Sequence, residues 1–168
     1  MVYLSNGLQL NVDKSEVILV GEGYKLQAAS AIESVAVAGS SLSITDKMKT
    51  LDVVLDSRLT FENHVSSAIQ SCNYHAQAIR HICDLLDQSM AQKLTCSLIL
   101  SRLDYCNSLL YGVPVEVLSK LQRLQNHVAR IVLKADRRCD ARLLLYQLHW
   151  LPVEGRVRFK LVLMTYKV

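Results

Sequence analysis

The sequence predicts an α+β fold, with a small β-rich segment over residues 1–56 and a bundle of about four to five helices over residues 57–168. Short apolar runs alternate with turn residues up to Asp56, and from Thr60 the apolar period becomes that of a helix. The charge balance changes at the same place. Residues 1–56 hold four Lys/Arg against seven Asp/Glu and residues 57–168 fifteen against eight, so the net +4 divides into −3 and +7. A chain of 168 residues can bury a substantial core in one domain or in one and a half.

In the β-rich segment, Gly7-Leu8-Gln9-Leu10-Asn11 leads as a strand into a turn at Asn11-Val12-Asp13. Glu16-Val17-Ile18-Leu19-Val20 is a β-rich run stopped by Gly21 and Gly23. Strands are predicted at Ser34–Ala38 and Leu42–Thr45 around a Gly39-Ser40-Ser41 turn, and at Leu51–Leu55 before Asp56-Ser57. Beyond them, Phe61, Val65, Ala68, Ile69, Cys72, Ala76, Ile79 and Cys83 form the stripe of a first helix, with Thr60 as N-cap and Asn63 at N3. A second helix starts near Asp87 and runs to about Leu103, with Met90, Leu94, Ser97 and Leu98 inward. Leu103–Tyr111 either continues it past a kink or forms a separate short helix that Gly112 ends. The third helix has Pro114 in its first turn and one apolar face made by Val117, Leu118, Leu121, Leu124, Val128, Ile131 and Val132. A fourth fits Asp140–Leu148, and the last begins after Pro152 and runs on to Val168.

Several function classes drop out. Charge interrupts the apolar stretches well short of the ~18–20 residues needed to cross a bilayer. No charged n-region with an apolar h-region opens the chain. Cys72, Cys83, Cys96, Cys106 and Cys139 lack paired spacing, and are expected as reduced, mostly buried thiols of an intracellular protein, nuclear or cytoplasmic. Cys72 and His75 could share a helix face as metal ligands, but His81 and Cys83 diverge by about 200°. Zinc needs four converging ligands, so no metal site is expected. Ser108 and His149 belong to no nucleophile–base arrangement, and no phosphate-binding glycine loop occurs. Trp150 beside Leu151-Pro152 predicts a packing corner between two helices.

Longer strings carry a family resemblance. Gly7-Leu8-Gln9-Leu10-Asn11-Val12-Asp13-Lys14-Ser15-Glu16 comes first, then Leu51-Asp52-Val53-Val54-Leu55-Asp56-Ser57-Arg58-Leu59-Thr60-Phe61-Glu62-Asn63-His64. LDYCNSLLYG at 103–112, LQRLQNHVARIVL at 121–133 and LHWLPVEGRVRFKL at 148–161 follow. In this order the blocks resemble the end of the palm, the thumb and the post-thumb region of reverse transcriptases of non-long-terminal-repeat retrotransposons. The resemblance covers nearly the whole chain, with Ser15 where the family has Thr and Asp52 where it has Gly. The Asp52 change is expected to strain or bulge the strand.

The resemblance implies a palm remnant followed by thumb helices of an RNA-directed DNA polymerase. That chemistry needs paired carboxylates holding two Mg2+ ions, which the family places upstream of Gly7. No Asp-Asp pair occurs in this sequence, and Asp13, Asp52 and Asp56 are isolated acids expected to sit solvated. The chain is therefore expected to be catalytically inactive alone, to hold no cofactor, and to lack the polymerase palm and fingers as partners. By resemblance Lys14 lies near the triphosphate and could act as a general acid. Without the rest of that site it reads as a relic, a solvated lysine after a turn.

Lys120, Arg123, Arg130, Lys134 and Arg137 recur at steps of about 3.5 residues and would form a basic stripe about 100° wide on a helix. Arg138 and Arg142 extend it. The resemblance implies that such a thumb helix grips the phosphates of a template–primer duplex of RNA or DNA without reading bases. The bland alternative is a solvated basic face. A second function class is a helical protein-interaction module that self-associates through apolar surface left by the missing palm.

Overall fold

Strands and helices segregate along the chain, giving the α+β class that the change of period predicts. A computed structural model describes residues 11, 14–28, 31–37 and 39–166, in two compact units, Met1–Asn63 and His64–Val168. The division falls in the first turn of a helix, a little beyond the 56/57 change in pattern. The strand expected at Gly7–Leu10 and the turn residues Val12 and Asp13 lie outside the described residues, as do Ala38 and the last two positions.

The first unit holds β1 (Val17–Ile18), α1 (Gly23–Ala28), β2 (Ser34–Val37), β3 (Ser40–Thr45), β4 (Lys47–Thr50) and β5 (Val53–Asp56). β3 pairs parallel to β1 and antiparallel to β2, and β4 and β5 form an antiparallel hairpin. Ser40 and Ser41 belong to β3 rather than to the expected turn, which falls to Gly39 at φ 84°. Two elements lacked a sequence signal. α1 buries no residue, and β4 alternates Lys47 and Lys49 with only half-buried Met48, so neither has an apolar face to read.

The expected strand Leu51–Leu55 starts only at Val53. Thr50 pairs with Val53, which leaves Leu51 and Asp52 as a two-residue loop at φ 45° and 64°. Positive φ at both positions is the type I′ arrangement that suits the twist of paired strands. Asp52 therefore bulges no strand. It occupies a turn and pairs with Lys49 at 2.7 Å.

Asp56 corrects a second expectation, because it is buried rather than solvated. Its carboxylate accepts from the backbone N–H groups of Arg58, Thr60 and Phe61 and from the Thr60 hydroxyl, all within 3.1 Å. Those bonds hold a loop in which Leu59 and Phe61 both take positive φ. The first helix, α2 (Glu62–Ile82), follows directly. Thr60 caps it from one place further out than expected, accepting from Glu62 N at 3.3 Å.

In the second unit, α2 buries Val65, Cys72, Ala76 and Ile79 of its predicted stripe. Helix α3 comprises Gln88–Thr95, a π turn at Cys96–Leu100 and Ser101–Asp104, and starts at Asp87, whose carboxylate accepts from Met90 N at 2.6 Å. Its inward face is not the predicted one. Ala91, Thr95, Ile99, Leu100 and Leu103 are buried, whereas Met90, Ser97 and Leu98 are exposed. Ala91 and Thr95 carry the first part of the buried line, and the wider π turn rotates the later residues.

A turn with Cys106 at φ 51° then leads to a separate 3₁₀ turn, Asn107–Leu110, ended at Gly112 with φ 82°. Next come α4 (Val115–Val132), α5 (Ala141–Gln147) and α6 (Val153–Tyr166). Pro114 precedes α4 as its flanking residue, and Gln125 and Ala129 join its buried face. Among the described residues no helix is long and apolar enough to cross a membrane.

The three C-terminal strings meet in one polar network. On α4, Gln125 is fully buried and donates to Leu151 O at 2.8 Å, while Gln122 Oε1 accepts from Val153 N at 2.9 Å. Arg156 of α6 also donates to Leu151 O, and its guanidinium meets Asp104 at 2.6 Å. Asn107 donates to the same carboxylate at 3.4 Å. At the end of α5, Trp150 N donates to Leu145 O and His149 N to Tyr146 O, with His149 at φ 55°. This is a Schellman ending, and it places Trp150 beyond the helix, buried as the predicted corner.

Candidate nucleic-acid interface

The basic residues singled out in the sequence do not all lie on one helix. Lys120, Arg123 and Arg130 are on α4, which stops at Val132. Ala135 N donates to Arg130 O and Lys134 N to Ile131 O, a second Schellman ending with Lys134 as its left-handed residue at φ 49°. Lys134 is thus the helix terminus, Arg137 and Arg138 lie in the loop beyond, and Arg142 is in the first turn of α5. The stripe breaks here because the 3.6-residue period continues in the letters after the hydrogen-bond ladder has closed.

Its members also differ in what they hold. Arg123 is exposed and donates from Nε to Ser119 O at 3.2 Å. Arg130 reaches Asn126 O and Cys139 O, at 3.2 and 3.3 Å, and so ties the following loop back to α4. Its Nε is buried without a hydrogen-bond partner among the described residues. Lys134 lies 3.5 Å from Asp84, and Arg142 3.7 Å from Asp140. Both are exposed ion pairs of the kind worth only ~0–1 kcal/mol, and they leave most of the positive field in place.

What the fold adds is a cleft. Arg130, Lys134 and Arg137 come together with Arg80 and Asp84 from the end of α2 and with His127 of α4, around a space of about 220 Å³. Four cationic side chains meet one carboxylate. His127 registers that field: burial, and then Arg80, Arg130 and Arg137, push its imidazole below the usual histidine range. The C-terminal ends of α2 and α4 favour cations locally by about 0.3–1 kcal/mol each, which helps keep this many in one place. Arg80 and His127 were not among the residues read from sequence. Arg80 lies far from α4 in the chain, and only folding brings the two helix ends together.

Lys14 sits apart from these residues in the chain, exposed, with its backbone N–H on Asn11 O at 3.3 Å. Among the described residues no group of three His, Cys, Asp or Glu side chains could hold a metal ion. Cys72, raised as a zinc ligand, is buried, and its thiol is pushed up to about 11 by that burial, slightly opposed by Arg102. His75 packs edge-on to Tyr74 at 5.4 Å. The cysteines are all free, but they are less buried than expected, with Cys96 and Cys139 exposed.

Chemically the cleft and the outer face of α4 can hold oxyanions, through guanidinium forks that match phosphate and a lysine point charge. No protein-family model, curated protein or solved structure matches this chain.

Proposed function

We propose that this chain is a reverse-transcriptase-like fragment that holds nucleic acid through its helical unit and does no polymerase chemistry by itself. The observation that carries the reading is the basic surface of α4 and its end, where Lys120, Arg123, Lys134 and Arg137 continue into the cleft with Arg80. Guanidinium and ammonium groups on such a surface suit phosphate oxygens. The expected mode is therefore phosphate contact, independent of sequence and steeply weakened by salt. Titrating labelled duplexes of unrelated sequence tests it. Equal affinities that fall linearly on a log–log salt plot support the reading, and salt-insensitive or absent binding would reject it.

The sequence blocks add the polymerase context, because they resemble palm-end and thumb segments while lacking an Asp-Asp pair. The purified chain should extend no primer with magnesium or manganese. Extension above a buffer control would overturn the inactive reading.

A specific observation keeps a second reading in view. Helix α6 exposes Phe159, Val162, Met164 and Tyr166, and only Val153 and Val157 of that helix are buried. Such a face supports self-association. Sedimentation would distinguish the two, since an assembly held by apolar contact persists in high salt and one bridged by nucleic acid does not.

A further inference from the structure

The cleft at the ends of α2 and α4 gathers charge in a way that the outer face of α4 does not. Arg80, Arg130, Lys134 and Arg137 arrive from two helices and a loop around one cleft of about 220 Å³, against the ~10–15 Å³ that a single water needs. Asp84 is the acid in the lining, and Lys134 stands 3.5 Å from it. Among the described residues neither Arg80 nor Arg137 enters an ion pair. The helix C-termini and Asp84 draw cations here, yet convergence still raises their mutual repulsion, which an anion in the cleft would relieve. Here they surround a space that one tetrahedral anion and its waters would fill.

We infer that this cleft binds a phosphate monoester, the group that ends a 5′-phosphorylated nucleic-acid strand, with Arg80 and Arg137 as its donors and Lys134 as its point charge. The choice of a strand end rests on the nucleic-acid reading above, and the oxyanion chemistry rests on the cleft. A monoester carries about −1.5 to −2 charge near neutral pH. An internal diester carries a single charge, so convergent cations suit the monoester better. Arg130 is engaged with the carbonyls of Asn126 in α4 and Cys139 in the loop, and serves mainly as a wall. The helix C-termini oppose an anion, but only as partial charges against full ones.

His127 provides a reporter inside the site. The charged groups around it are Arg80 from α2, Asp84 just past its end, Arg130 from α4, and Lys134 and Arg137 past the end of α4, with the Cys83 thiol beside them. A bound dianion offsets the cations that disfavour imidazolium, so His127 should protonate at higher pH when the cleft is filled. By linkage, lowering the pH toward that value should tighten binding until the phosphate itself takes up a proton near ~6.

The experiment is an NMR pH titration of His127 in the full chain, alone, with inorganic phosphate, and with one strand carrying either a 5′-phosphate or a 5′-hydroxyl. Phosphate should raise the His127 midpoint, and the phosphorylated strand should bind roughly tenfold tighter than the hydroxyl strand. Arg80→Gln and Arg137→Gln, each with an unchanged circular dichroism spectrum, should remove most of that preference. An unmoved His127, or a preference that survives both variants, would overturn the inference. Equal binding of both strands with His127 unmoved would sink the cleft and leave the nucleic-acid reading standing. Phosphate shifting His127 while neither strand binds would remove the strand-end ligand together with that reading.

Discussion

Asp56 is the residue whose surroundings matter most to its behaviour. Burial works to raise its pKa, but hydrogen bonds from Thr60, Arg58 and Phe61 outweigh that and hold the carboxyl below the usual value. A folded pKa below the unfolded ~3.9 means stability that is present above that value and lost as pH falls through the folded one. Asp56→Asn keeps one acceptor oxygen and strands the groups bonded to the other, so it should cost about 1–3 kcal/mol at neutral pH. It should also flatten the acid limb of the stability–pH curve. Denaturant melts at pH 7 and pH 3 would show this, and equal stability of variant and parent at both would refute the role given to Asp56. Lys134 makes the opposite case, as a side chain in a left-handed position that glycine fills more easily. Lys134→Gly should raise stability by up to about 1 kcal/mol, whereas a drop would mean that its Asp84 pair matters more than its backbone. Neither residue could be read correctly from sequence. Asp56 closes a strand, where solvated acids are common, and Lys134 keeps helical spacing two residues past Val132, the end of α4.

At the scale of elements, the three C-terminal strings of the resemblance share a structural polar network. LQRLQN supplies Gln122 and Gln125, LDYCNS supplies Asp104 and Asn107, and LHWLPVEGR supplies the corner carbonyl of Leu151 and Arg156. Gln125 is fully buried and bonds both Leu151 O and Gln122, so Gln125→Leu should destabilise by about 1–3 kcal/mol while leaving duplex affinity unchanged in the folded fraction. Loss of binding beyond the loss of fold would put this network inside the interface. Apolar spacing located the helices because α2 and α4 carry long apolar faces. It failed on α3, where the buried stripe runs through Ala91 and Thr95 and the larger Met90 points outward. Hydrophobic size misleads where the buried line runs through small residues.

At the scale of the whole molecule, the fold class was legible because period and charge change together near residue 56. The cleft was not, because no local pattern links Arg80 with Arg137. The strands of the first unit form short ladders with mostly half-exposed faces, whereas α2 and α4 bury continuous stripes. Strands β1–β5 should therefore exchange their amide hydrogens faster than the centres of α2 and α4, and residues 56–168 alone should keep most of the helical circular dichroism. Uniform protection, or loss of helicity in that fragment, would mean that the units fold as one. The central claim is phosphate contact by the basic surface. It is tested most directly by the salt dependence of duplex binding for the parent and for a Lys120→Ala/Arg123→Ala/Arg137→Ala variant, which spares the loop-tying Arg130 and the helix-ending Lys134. If each of the three touches a phosphate, the log–log slope on B-form DNA should flatten by roughly 0.9 per contact and affinity should fall equally on all sequences. An unchanged slope and affinity would show the basic surface to be a solvated face and would contradict the account.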